Sequence, residues 1–94
     1  MRLSTQQAQL IAQSVHRHLG DSARTWLFGS RLHDDKKGGD VDLYVETGPH
    51  ALMHEVRCKL QLIEALDMPV DLIVRSPGDN TPIARIAKAE GIPL

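Results

Sequence analysis

The chain contains a single cysteine, Cys58, in 94 residues, so no disulfide can close within it and no cysteine-based zinc site can be built. A reducing, cytoplasmic setting is the expected one. Aromatic residues make up 3% of the chain, too few for base-stacking platforms. Neither sign of charge dominates. The 11 basic and 12 acidic residues leave a net charge of -1, which excludes the usual electrostatic footprint of a nucleic-acid binder. No apolar run approaches the ~20 residues of a membrane span. The opening MRLSTQQAQLIAQ lacks the apolar core and small-residue cleavage site of a secretory signal. What is present is 41% apolar and 24% charged residues, the balance of a soluble globular domain. Residues 1–94 are expected to form one domain, without room for separate catalytic and recognition units. The substrate of an enzyme this small is then expected to arrive on another molecule.

Hydrophobic periodicity orders the chain as α-β-β-α-β-α. Ala8, Ile11, Ala12, Val15 and Leu19 fall on one stripe of a helix over 4–19. Ser4, with Gln7 three positions later, has capping-box spacing, and Gly20 stops the helix. Residues 24–28 read as a short strand that Gly29-Ser30 ends abruptly, and 33–39 as a polar loop. Residues 40–46 alternate strictly, as a strand does. Pro49 suits the first turn of a helix over 50–66, whose expected core face is Leu52, Val56, Leu60, Ile63 and Leu66. Residues 70–75 form a third strand, and Asn80 is the expected cap of a last helix over 81–90, ended by Gly91. The strand–helix–strand unit 40–75 predicts a parallel pair with a right-handed crossover.

Alternation then sorts the side chains. Val41, Leu43 and Val45 share one face with Val70, Leu72 and Val74, the face expected to pack on helices. Asp40, Asp42 and Tyr44 share the other with Asp71, Ile73 and Arg75. Asp42 and Asp71 both stand near strand starts, which lie at one edge of a parallel pair, so the three aspartates are expected to converge. Aspartate is depleted in strands, and like charges brought together repel by about 4 kcal/mol at ~4 Å and an effective dielectric near 20. Two readings follow. Either the carboxylates are solvated on an exposed face, or they hold a hard cation such as Mg²⁺ or Mn²⁺, which oxygen-only ligands select. Where the first strand stops, Gly29 allows a sharp turn and close approach of a ligand. A helical turn begun at Ser30 would offer free N–H groups to a phosphate, with the Ser30 hydroxyl and the Arg31 charge beside them. A plain strand-ending turn is the competing reading.

Taken together, Trp-Leu-Phe-Gly-Ser-Arg (26–31), Gly-Gly-Asp-Val-Asp-Leu-Tyr-Val (38–45), Asp71 and the ending Ile-Ala-Lys-Ala-Glu-Gly-Ile-Pro-Leu (86–94) resemble the minimal nucleotidyltransferases (MNT) of the DNA polymerase β superfamily. The resemblance covers essentially the whole chain. It implies an α/β (α+β) fold, a single nucleotidyltransferase domain over 1–94 with a small mixed sheet and helices mainly on one face. It implies that Asp40 and Asp42 bind catalytic divalent metals, two Mg²⁺ ions or Mn²⁺ in their place. Asp71 would complete the metal-binding triad and act on the incoming hydroxyl. Gly29, Ser30 and Arg31 would bind the nucleotide, with ATP as substrate. Members paired with HEPN-domain toxins are antitoxins, some of which move AMP from ATP to a toxin tyrosine, so the expected assembly is a hetero-oligomer with a HEPN toxin encoded nearby. A binding antitoxin without catalysis, and nucleotidyl transfer to a small molecule or RNA end, are the alternatives. Between Ser30 and Asp40 lie residues 31–39, one fewer than the spacing associated with those antitoxins.

Other residues carry blander expectations. His50 and His54, four apart, lack a third ligand at metal spacing and read as surface histidines. Cys58 lies off the expected apolar stripe and reads as a structural or surface thiol. Arg75, Arg85 and Lys88 read as a solvated face. Tyr44 and Ile73 are expected outside the core, lining a nucleotide pocket or an interface.

Overall fold

The computed structural model describes residues 3–29 and 40–94. Among them run α1 (Thr5–Leu19), β1 (Arg24–Phe28), β2 (Val41–Glu46), α2 (Leu52–Leu66), β3 (Val70–Arg75), α3 (Pro82–Glu90) and β4 (Ile92–Pro93). The strands form one mixed sheet in the order β3-β2-β1-β4. β2 and β3 are parallel, with Asp42 level with Asp71, and β1 is antiparallel to both β2 and β4.

The capping box at the start of α1 is complete: the Ser4 hydroxyl accepts from the Gln7 N–H at 3.0 Å, and the Gln7 side chain accepts from the Ser4 N–H at 2.9 Å. Two free N–H groups of the first turn are satisfied reciprocally, which is what fixes the entry point. At the start of α3 the cap is Thr81 and not Asn80, with Pro82 in the first turn. The Thr81 N–H donates to Asp79 at 2.8 Å, so the turn before the helix is held by Asp79.

The larger core lies between the sheet and α1 and α2. Leu27, Val41, Leu43, Val45 and Val70 pack there against Ile11, Val15, Leu19, Cys58 and Leu62. The expected core face of α2 is corrected by this packing. Cys58, Leu62 and Leu66 point inward, whereas Leu52, Val56 and Leu60 are exposed. The helix carries two apolar stripes roughly a third of a turn apart, and contact with α1 selects the one containing Cys58. Burial pushes the Cys58 thiol above its ordinary pKa, and its Sγ lies 3.9 Å from the Ser14 carbonyl. It is a structural thiol, as expected, but on the core stripe.

α3 lies on the opposite face. Its small residues Ala84 and Ala87 pack on Trp26, Phe28 and Tyr44, with Ile73 and Ile83 at the margin. Tyr44 is thus fully buried, against the expectation that it lies outside the core, and Ile73 is half-buried. Small residues on the helix let it approach the Trp26 and Tyr44 rings, whose centroids are 5.8 Å apart. The chain then turns at Gly91, where a Cβ would fall 2.2 Å from the Ala87 carbonyl oxygen, and β4 joins the free edge of β1.

Beneath α3 is a buried polar cluster. The Tyr44 hydroxyl donates to Glu46 Oε2 at 2.8 Å, Lys88 Nζ forms an ion pair with the same oxygen, and the Gly78 N–H donates to Oε1 at 3.4 Å. Lys88 is therefore not part of a solvated face. Burial alone would push the Glu46 carboxyl up, but the Lys88 and Tyr44 hydrogen bonds outweigh it and hold the group below its ordinary value. Burial and the Glu46 carboxylate together push the Tyr44 phenol above its ordinary range.

Candidate active site

The parallel register brings two of the three expected aspartates together. Asp42, second residue of β2, is level with Asp71, second residue of β3, and alternation points both to the face that carries Tyr44 and Ile73. α3 covers the Trp26–Tyr44 part of that face, leaving Asp71 exposed and Asp42 half-exposed at the end where the strands begin. Asp40 shares their parity but stands before the ladder, level with the turn at Pro69, whose carbonyl accepts from the Val41 N–H at 2.9 Å. It is exposed. The register thus sets Asp42 and Asp71 side by side, with Asp40 two residues ahead of Asp42 at the same parity. No three His, Cys, Asp or Glu side chains form a metal-binding group among the described residues.

The second strand edge against this pair is the end of β1. Phe28 is level with Asp42, and Gly29 follows with φ +79°, a left-handed conformation that side chains disfavour. A Cβ on Gly29 would fall 2.2 Å from Asp42 Oδ2. Glycine is thus required twice here, for the backbone turn and for the carboxylate lying directly over it. We expect Gly29→Ala to cost about 1–3 kcal/mol from the strained φ alone and to push the Asp42 carboxylate aside. Thermal unfolding together with nucleotide titration checks this. An unchanged melting temperature with unchanged nucleotide affinity would contradict it. Ser30 and Arg31, the remaining expected nucleotide-binding residues, lie outside the described residues.

At the other end of β2 a cavity of about 520 Å³ opens between Thr47, His50, Leu52, Glu55, Arg75 and Asp79. His50 is held there, its Nδ1 2.8 Å from the Gly48 carbonyl and its Nε2 2.6 Å from Glu55. Both contacts raise its pKa above the ordinary value, the Gly48 carbonyl foremost. His50 is thus a partnered group, not a loose surface histidine, whereas His54 is exposed as expected. No signal in the sequence distinguished the two, because the His50 partners are a backbone carbonyl and a carboxylate five residues on.

The arrangement at the strand starts is a pair of carboxylates on adjacent parallel strands, a third just ahead of them, and a glycine turn facing the pair. No protein-family model and no curated protein matches the chain. Solved structures do. A minimal nucleotidyltransferase superposes over 100% of this chain and 97% of its own, with a TM-score of 0.71 and 28% identity. The chain has the minimal nucleotidyltransferase fold. A chain from the crystal structure of a mutant toxin–antitoxin MntA-HepT gives a TM-score of 0.74 at 20% identity, over 93% of this chain and 69% of that one. One from a tri-AMPylated Shewanella oneidensis HEPN toxin in complex with MNT antitoxin gives 0.61 at 22% identity, over 90% and 69%.

The residues of this minimal nucleotidyltransferase fold suit a divalent cation. The donors at the strand starts are carboxylate oxygens alone, the set that hard cations take. Two carboxylates directly opposite on adjacent strands destabilise a sheet unless positive charge compensates them. Gly29 keeps the space over Asp42 free of any side chain of its own. No helix among the described residues is long and apolar enough to cross a membrane.

Proposed function

We propose that this chain transfers AMP from ATP to a tyrosine hydroxyl of a HEPN-type toxin and thereby acts as its antitoxin. The observation that carries the reading is the Asp42–Asp71 pair, set opposite the Gly29 turn in a minimal nucleotidyltransferase fold. The tri-AMPylated HEPN toxin in the complex with MNT antitoxin supports the choice of acceptor.

In this reading Asp40, Asp42 and Asp71 hold the divalent ions, and Gly29, Ser30 and Arg31 bind the triphosphate. Bound Mg²⁺ supplies charge neutralisation for the phosphates and for the leaving pyrophosphate. The chain's residues do the rest. Asp71 is exposed at the strand starts, where an incoming hydroxyl can approach it from the sheet face it shares with Asp42, and its carboxylate takes the hydroxyl proton. The tyrosine oxygen bonds to the α-phosphorus, the bond from that phosphorus to the β-phosphate oxygen breaks, and pyrophosphate departs. Positioning and charge placement supply most of the rate in such transfers.

The chain cannot be its own tyrosine acceptor. Its one tyrosine, Tyr44, is fully buried with its hydroxyl committed to Glu46. A tyrosine acceptor must therefore be brought by another molecule. The test is to mix the purified chain with the protein encoded beside it and Mg-ATP, and to read intact masses. One or more AMP additions on the partner, none on this chain, and none without Mg²⁺ are expected. A partner of unchanged mass under conditions where ATP binds would overturn transfer to protein.

A further inference from the structure

The outer edge of β3 pairs with no strand among the described residues. On its inner side, the Pro69 and Arg75 carbonyls accept from Val41 and Thr47 of the neighbouring segment. In a parallel ladder one residue turns both its backbone groups to the same side, and alternate residues turn them to opposite sides. Asp71, Ile73 and Arg75 therefore spend theirs on β2, while Val70, Leu72 and Val74 aim theirs outward. A six-residue edge of this composition is a template for another strand.

The helix beside that edge is also uncovered. Leu52 is 72% exposed and Leu60 60%, with Met53 and Val56 exposed between them. Leu52 and Val56 share a shallow hollow of about 120 Å³ with Leu72 of β3, flanked by Glu55 and Lys59, so the stripe on α2 adjoins the open edge. Scattered exposed apolar residues need no explanation, but a contiguous set next to an unpaired edge marks an interaction site.

We propose that a second copy of this chain covers this surface, its β3 pairing antiparallel with β3 about a twofold axis at Ile73. The charges choose the occupant and the register. Residues opposite each other in an antiparallel pair point to the same face, so this register sets Asp71 against Arg75 of the second copy, twice by symmetry, with Ile73 against Ile73. Leu72 falls opposite Val74 of the second copy, and these are the residues whose backbone groups aim outward, as a hydrogen-bonded pair requires. Shifting the axis to Leu72 or to Val74 sets one of the two charges against Ile73 and breaks the match. β3 is thus complementary to itself. The axis runs through the sheet, so both α2 helices lie on one side and their Leu52–Val56–Leu60 stripes close over the seam. The second copy also contributes a residue to the candidate site, because its Arg75 comes to stand beside Asp71.

This inference goes beyond the transfer reading and is tested by mass, not activity. Sedimentation velocity of the full chain over a concentration series is expected to show a reversible dimer. Arg75→Asp and Asp71→Arg each create two like-charge cross-strand pairs and are expected to weaken self-association about tenfold or more. The combined Asp71→Arg/Arg75→Asp chain is expected to recover it. Val74→Pro removes an outward-facing N–H without touching the β2 ladder, and is expected to leave a folded monomer by circular dichroism. A wild-type chain that stays monomeric up to its solubility limit overturns the proposal, whatever else then binds the edge. So does a dimer indifferent to the single charge reversals, or one that the combined exchange fails to restore.

Discussion

Asp42→Asn is expected to abolish AMP transfer while leaving the fold intact or slightly more stable. Asparagine keeps the shape of the side chain and the strand position, and removes one negative charge opposite Asp71. Directly opposed like charges destabilise a sheet by a few tenths of a kcal/mol to about 1 kcal/mol, and an amide of the same shape can still hydrogen-bond, so the melting temperature is expected to stay close to that of the wild type. The same change takes away one of the carboxylates that would hold the divalent ion against the transferring phosphate. Losing a single electrostatic contributor of this kind typically costs ~10²–10³ in rate, about 3–4 kcal/mol of barrier. A decline in activity paired with unchanged or increased stability cannot be produced by misfolding, which makes the pair of readouts decisive.

The variant also separates catalysis from masking. Co-expressed with its toxin, a catalytic antitoxin carrying Asp42→Asn loses neutralisation, and the toxin's intact mass stays unmodified. A chain that neutralises by covering its partner rescues growth as before, since the surface of the fold is untouched. Growth rescue by a well-folded Asp42→Asn chain, without any mass change on the toxin, would remove the catalytic reading and keep the fold assignment.

Most of the backbone was legible because its signals are local. The Ser4–Gln7 capping box, the Gly20 stop and the bounds of β1 and β3 depend on spacings of a few residues, and all stand where they were expected. So does the parallel β2–β3 pair, since a 15-residue helix between two strands leaves few other connections. The errors come from choices that only tertiary contact can make. α2 carries two apolar stripes, and periodicity alone cannot say which one α1 will cover. Tyr44 sits on the face away from α1 and α2, but its burial depends on α3, whose contact surface is Ala84 and Ala87 with Ile83 at the margin, and helical spacing alone does not say which strands that stripe covers. β4 is two residues long, one of them Pro93, below the length at which alternation exists.

The candidate site shows the same division. Asp42 and Asp71 are 29 positions apart and were matched by parity and strand position, because a parallel register aligns strand starts. Asp40 fits the parity argument and stands one residue before the first ladder pair at Val41–Val70, so the register that aligns Asp42 with Asp71 does not extend to it. The contact of Asp42 with Gly29 was only partly legible. A glycine ending a strand suggests close approach, but not that the approaching group is a carboxylate of the neighbouring strand.

Lys88→Met should produce the largest loss of stability, and it should reverse the chain's acid response. Glu46 is 5% exposed, and the Lys88 ammonium pairs with it beside the Tyr44 hydroxyl and the Gly78 N–H. Removing one side of a buried pair leaves an uncompensated charge, at a cost of about 3–5 kcal/mol, and the partial exposure of Lys88 places the expectation near the lower end. A domain this size holds only about 5–15 kcal/mol in total, so the variant should sit close to its unfolding transition. The pH dependence gives the cause. In the wild type the folded Glu46 pKa is held below its ordinary value of 4.5. The stability it contributes is present above that value and is lost as pH falls through the folded pKa. In Lys88→Met the desolvation that Lys88 outweighed is left dominant, so the folded pKa rises above the unfolded one. The carboxyl then takes up a proton on folding, and stability increases as pH falls towards the unfolded value. Chemical denaturation from pH 7 down to about pH 3 reads both slopes: wild type weakens as pH falls below the ordinary Glu46 value, and Lys88→Met gains stability on approaching it, relative to its own pH 7 value. Adding Glu46→Gln to Lys88→Met should flatten the dependence and recover much of the loss, since the neutral amide can accept from the Gly78 N–H through its oxygen and donate its NH2 to the Tyr44 hydroxyl oxygen. Equal pH slopes in wild type and Lys88→Met would mean that Glu46 is not the group that Lys88 compensates.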